Sequence, residues 1–126
     1  MVDDMLVVRP GEAPLKRVLV IDDQRDYRRD LAEFTFARSF DDGLHQIVQW
    51  MDGLVIFDEI WLDHDLGMDQ NGVHTIRPIV LYIVEEALIF GYVISTTKFK
   101  VISSNPVGRD WIVSQLDEWY DIEVVV

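Results

Sequence analysis

The sequence predicts an α/β protein built on one sheet with helices on both faces. Three observations carry that expectation. Apolar runs of strand length alternate about five times with longer segments at helical spacing. Three of these runs end in polar clusters, "IDDQR", "LDHDLG" and "ISSNP". Pro and Gly fall singly between segments, as punctuation and not as a linker.

Taken in order, "MLVV" and the loop "PGEAP" make residues 1–14 an N-terminal extension or loop. Val18 to Ile21, four apolar residues before Asp22 and Asp23, read as a fully buried strand ending at a polar rim. "QRDYRRDLAE" has helical propensity with little apolar periodicity, so at most a short or irregular helix is expected there. "FTFARSF" alternates and carries aromatic and β-branched residues, as an outer strand would. In "DDGLHQIVQWMDG", Leu44, Ile47, Val48 and Met51 fall at helical spacing behind an Asp cap, with Gly53 as the stop. Glu59 to Leu62 is the next strand, and "MDQNG" a turn. The apolar run Val73 to Phe90 predicts a helix beginning or kinked near Pro78 and ended by Gly91. Phe99 to Ile102 reads as a strand. "VGRDWIVSQLDEWY" is a helix with Trp111, Ile112, Gln115, Leu116 and Trp119 near one face, and "DIEVVV" a last strand.

A chain of 126 residues, 49% hydrophobic and 11% aromatic, is expected to form a single domain with its own core. The absence of cysteine excludes disulfides, thiolate metal sites and a thiol nucleophile, and it fits a reducing cytoplasm. Eleven basic against 23 acidic residues give a net charge of -12, which disfavours general nucleic-acid binding and anionic membranes. Neither a signal peptide nor a membrane span is expected.

In open α/β sheets, sites form outside the carboxyl ends of the strands. If the three strands with polar ends are neighbours, Asp22, Asp23, Asp63 and Asp65 meet at one rim with His64 nearby. Carboxylates that close need a counter-charge, and Mg²⁺ or Mn²⁺ is a natural one. An Asp after a strand also serves as an ordinary cap or turn former. His64 is a candidate proton carrier, ligand or hydrogen-bonding rim residue. His45 and His74 are expected to be structural or exposed. Ser103, Ser104 and Asn105 precede a helix start, where unpaired NH groups suit a phosphate oxygen and where Ser104 or Asn105 would cap the helix ahead of Pro106. Arg25 and Arg109 are the basic residues best placed to face such an anion. Walker, dinucleotide and zinc fingerprints are absent, and the four tryptophans read as core.

"VLVIDDQ", "FDEIWLDHDLG" and "VISSNP" resemble the strand ends of a response-regulator receiver domain. That resemblance implies a flavodoxin-like sheet of five parallel strands in the order 2-1-3-4-5, here with a shortened first helix. It also implies Mg²⁺ held by Asp22, Asp23 and Asp63, with Ser103 at the hydroxyl position. A receiver carries a Lys at the end of its fifth strand, whereas "DIEVVV" has none. A narrower branch is closer: "IDDQR", "FARSFDDG", "WLDHDLG" and "SSNPVGR" are similar to the cyclic-phosphate processing receiver domain family. The motifs carried over are Asp22, Asp23, Arg25, Asp63, His64, Asp65, Ser103, Asn105, Pro106 and Gly108. Where that family usually has His before the Ser, this chain has Ile102.

The expected activity is metal-dependent processing of a phosphoester or cyclic phosphate on a small nucleotide-like ligand. In it Asp63, His64 and Asp65 are catalytic, Arg25, Ser103, Asn105 and Arg109 hold phosphate, and Asp22, Asp23 and Asp63 hold the metal. Two alternatives stay open: a non-catalytic receiver-like sensor, with a protein partner or homodimer, and a true aspartyl-phosphate receiver. A stand-alone domain of this kind would suit a phage or prophage.

Overall fold

The computed structural model describes residues 15–25 and 32–125. Its five-stranded sheet runs β2-β1-β3-β6-β7, all neighbours parallel, from β1 (Lys16–Ile21), β2 (Ala32–Ala37), β3 (Glu59–Leu62), β6 (Lys98–Val101) and β7 (Ile122–Val124). Central β3 is buried throughout, and β1 is buried over its last four residues, which is why their runs read as apolar without alternation. This arrangement is the flavodoxin-like one, but the expected order 2-1-3-4-5 needs correction. An antiparallel hairpin, β4 (Asp65–Asp69) with β5 (Gly72–Thr75), lies between β3 and the next helix, so the last two places of the sheet go to β6 and β7.

The hairpin strands are too short to carry a pattern, and Val73 to Thr75, expected to open the apolar run of the next helix, instead belong to β5, with the helix beginning at Arg77; only the turn at "MDQNG" was legible. The chain reverses through Gln70 and Asn71, where the Asn71 NH donates to Asp69 Oδ1 at 2.7 Å, a side-chain mimic of a backbone turn. Leu66, 5% exposed, roots the hairpin in the core while Met68 and Val73 face solvent.

Among the described residues, three helices follow from the spacing. Helix α1 (Phe40–Met51) buries Ile47, Trp50 and Met51. Its cap is Ser39, whose hydroxyl accepts from the Asp42 NH, and not an Asp; Asp41 and Asp42 instead fill the first turn, where the helix dipole favours them. Helix α2 (Arg77–Phe90) starts with Pro78 in its first turn and ends at Gly91, left-handed at φ 66°. Helix α3 (Pro106–Leu116) is capped by Asn105, whose side-chain oxygen accepts from the Gly108 NH at 3.1 Å.

All three helices pack into one core with Leu19, Ile21, Ile60, Leu62, Phe99 and Val101. The alternate strand residues Val18, Val20 and Trp61, with Ile102, form a smaller cluster against Ala32, Phe34 and Phe36. Among the described residues, helices therefore cover one face. The segment expected to hold the short helix, residues 24–33, lies largely outside them. Trp50 and Trp61 are core and Trp111 and Trp119 half-buried, none presented as a stacking platform. No helix among the described residues is long and apolar enough to cross a membrane.

At the amino end of β3, away from the polar rim, the buried Glu59 carboxylate takes the Trp61 indole NH at 2.9 Å and Lys16 Nζ at 3.0 Å, with Lys100 Nζ at 3.5 Å. Burial pushes this acid up, but the indole bond and the two ammonium groups outweigh it and hold it below the ordinary Glu value.

Candidate functional site

The adjacent parallel strands β1, β3 and β6 end in register, so the residues after them converge. Asp22 and Asp63 are buried at 1% and 7% exposure, and with half-buried Asp23 they offer carboxylate oxygens all within 4.8 Å of one another. Asp22 Oδ1 accepts the NH groups of Gln24 and Arg25, at 3.0 and 3.3 Å, which fixes the carboxylate at the turn. Its other oxygen, Oδ2, is fully buried without a hydrogen-bond partner among the described residues; Arg25 Nε lies 4.0 Å away. A buried orphan lone pair among three hard oxygen donors is what a divalent cation would satisfy, so Asp22, Asp23 and Asp63 could hold one.

Burial pushes the Asp63 carboxyl above its ordinary value, and the Asp22 charge adds to the rise; the Ser103 hydroxyl and Arg25 guanidinium oppose it without cancelling it. Ser103, 1% exposed, also accepts the Asn105 NH on its hydroxyl at 3.2 Å, so it ties the acidic cluster to the start of α3. Arg25 spans the rim: Nη1 donates to the Ile102 carbonyl at 2.7 Å and Nη2 to Ser104 Oγ at 3.2 Å. Arg38, which sequence reasoning missed, holds the same loop from the other side by donating to the carbonyls of Asp22 and Arg25. Nothing in "FARSF" signals that role, because its acceptors are backbone atoms.

His64 and Asp65 form a second arm. His64 Nδ1 lies 2.8 Å from Asp65 Oδ1, and Nε2 lies 2.9 Å from Arg77 Nε. Arginine can only donate, so Nε2 must carry the lone pair and Nδ1 the proton given to Asp65. Asp65 Oδ2 in turn accepts from Asn105 Nδ2 at 3.4 Å. The Arg77 guanidinium lies over the Trp111 ring, 4.5 Å from its centroid. Gly108 lets α3 approach: a Cβ there would fall 2.3 Å from His64 Cγ. Arg77 leaves no local signal in the sequence, because its partner His64 lies thirteen residues upstream.

The structure thus brings together Asp22, Asp23, Asp63, Arg25 and Ser103, and separately His64, Asp65 and Asn105. Arg109 sits half-buried in the first turn of α3, and its guanidinium makes no hydrogen bond or ion pair among the described residues. Ile102, 3% exposed, is a core residue whose side chain packs with Val18, Val20 and Trp61. His45 is exposed on α1, its Nε2 3.2 Å from Gln49.

Carboxylates after β1 and β3 and a hydroxyl after β6, on a parallel sheet of this order, define a receiver-like domain. The chain belongs to the cyclic-phosphate processing receiver domain family, which it matches over residues 17–118. No curated protein matches it.

Proposed function

We propose that the chain processes a phosphoester or cyclic phosphate on a small nucleotide-like ligand, with Mg²⁺ or Mn²⁺ held by Asp22, Asp23 and Asp63. The observation that carries this reading is the buried Asp22 Oδ2, without a hydrogen-bond partner among the described residues, beside Asp63, with the Ser103 hydroxyl and Arg25 at the same rim. A bound divalent cation supplies charge neutralisation and polarisation of a phosphoryl oxygen. The chain's own groups do the rest. Ser103, Asn105 and Arg25 orient the phosphate, with Arg109 at the mouth of α3 as a further cationic contact. His64, held in one tautomer by Asp65, offers Nε2 as the proton acceptor. Arg77 occupies that lone pair in this arrangement, so proton transfer requires the bond to open.

The test is an assay of nucleoside cyclic monophosphates and terminal ribose cyclic phosphates with added Mg²⁺ or Mn²⁺. Turnover lost in Asp63→Asn supports the reading; no turnover with any of them sinks it.

One observation favours a second reading, a receiver-like sensor that binds without catalysis. Ile102 fills the position where the family usually has His, and it is committed to the core. Calorimetry in which ligand binds and is recovered intact would select this reading.

A further inference from the structure

The phosphoester site accounts for the acidic cluster but not for the space beside it. A cavity of about 520 Å³ opens between the loop after β1, the amino end of α1 and the β4–β5 hairpin, and Asp23 is one of its walls. Asp23 is therefore shared between the cluster and the cavity. Gly67, at φ +84°, permits the junction, since a Cβ there would lie 3.0 Å from Asp23 Oδ2. A phosphate alone does not need this volume, which lies in the range of cavities that take whole small molecules. One wall belongs to the hairpin, the element that the five-stranded sheet does not require.

The lining says what kind of group fits. Phe40 from α1 and His74 from β5 lie nearly parallel, 21° between planes and 5.8 Å between centroids, and both border the cavity. His74 Nε2 lies 2.9 Å from Asp69 Oδ2 on the paired strand of the hairpin. Gln24, Ser39 and Asn71 also border the cavity, residue types that carry donors and acceptors suited to base edges and hydroxyls, the Ser39 oxygen already taking the Asp42 NH. Asp23, Asp41 and Asp69 against Arg38 leave the cavity net acidic, which disfavours a second phosphate in it. The part of the ligand that enters must be uncharged or cationic, flat enough for an aromatic wall, and rich in hydrogen-bonding groups.

Resting on the phosphoester reading of the acidic rim, we propose that this cavity is the nucleoside half of the site. The ligand is then a single nucleoside carrying one phosphate or cyclic phosphate, its phosphate at Asp22, Asp23 and Asp63 and its base against Phe40 and His74. Polyphosphates and longer oligonucleotides, which would bring further anionic groups into the cavity, are disfavoured.

Calorimetric titration with Mg²⁺ present, using adenosine monophosphate, uridine monophosphate and ribose phosphate, tests this. At least one nucleotide should bind about fivefold or more tighter than ribose phosphate, the scale of one base stacked on an aromatic ring. His74→Ala and Phe40→Leu should each erase most of that difference while ribose phosphate binding persists. Phe40→Leu keeps apolar bulk against the core, and thermal melts of both variants confirm folding. Equal affinities in the wild type, or a nucleotide preference that both folded variants retain, overturn the assignment of the cavity and leave the phosphoester reading standing. Binding of none of the three, nor of adenosine cyclic monophosphate titrated alongside them, overturns both.

Discussion

Asp22 and Asp63 hold carboxylate oxygens within 4.8 Å of each other although both are buried, and burial first, then the Asp22 charge, drives the Asp63 carboxyl above its ordinary value. A raised native value means that the folded chain binds the proton more tightly than the unfolded chain does. Without divalent cation, stability therefore falls as pH rises from the ordinary Asp value through the raised one, and it levels off above it. Asp63→Asn removes that loss. At neutral pH in chelator the variant should be more stable than wild type, because it no longer buries a charge beside Asp22. Urea melts across pH check this, and a variant less stable than wild type at neutral pH would contradict it.

The same repulsion should turn into affinity when a cation is supplied. Mg²⁺ or Mn²⁺ at a hundredfold excess over its dissociation constant should stabilise the wild type by about 2.7 kcal/mol, and Asp22→Asn or Asp63→Asn should remove most of that gain. Thermal melts against metal concentration measure it. A wild-type midpoint that is unchanged at every concentration would mean that the cluster is not a cation site.

Gly108→Ala should be destabilising even though it lies in a helix. Alanine gains up to about 1 kcal/mol in helix propensity. The new Cβ, however, would sit 2.3 Å from His64 Cγ and 2.7 Å from both Cδ2 and Nδ1, so the ring must leave its place and both its hydrogen bonds. Overpacking of this kind costs about 1–3 kcal/mol, which wins. A net loss of about 1–2 kcal/mol in denaturant melts is expected, together with loss of the Asp65 and Arg77 contacts in the histidine NMR signals.

How much of this was legible in the sequence depended on the range of the signal. Val18–Ile21 and Glu59–Leu62 were readable because central parallel strands are apolar without alternation. Asp22, Asp63 and Ser103 were readable because they directly follow such runs and meet at one rim. The hairpin was not readable, since Asp65–Asp69 carries two carboxylates and a glycine and pairs with only four residues. With it went the cavity wall at His74. Arg38 and Arg77 escaped for a different reason: one holds backbone carbonyls and the other a histidine far away in sequence, and neither leaves a local pattern. The cap of α1 was misassigned to Asp because Ser39, Asp41 and Asp42 all suit a helix start, and only the geometry shows which oxygen takes the free NH.

Glu59 predicts an acid sensitivity of opposite sign to that of Asp63. Its native value is depressed, so its stabilisation is present above the ordinary Glu value and is lost as pH falls through the depressed one. Glu59→Gln should cost about 1–3 kcal/mol at neutral pH, the range for breaking a buried bonded group, and should flatten the acid limb of the stability curve. A variant that keeps the wild-type acid limb would show that other carboxylates set it.

Arg77 and His64 make the sharpest prediction about the second arm. Because the guanidinium donates to Nε2 and Asp65 accepts from Nδ1, wild-type His64 should show a protonated Nδ1 and a bare Nε2 in nitrogen NMR. Arg77→Met keeps the stem over Trp111 but removes the donor, so a proton on Nε2 becomes permitted and its signal should appear. The substitution should also cost about 1–3 kcal/mol, for a bond from a charged donor plus a cation–π contact. A wild-type Nε2 already carrying a proton would remove the basis for His64 as the proton acceptor.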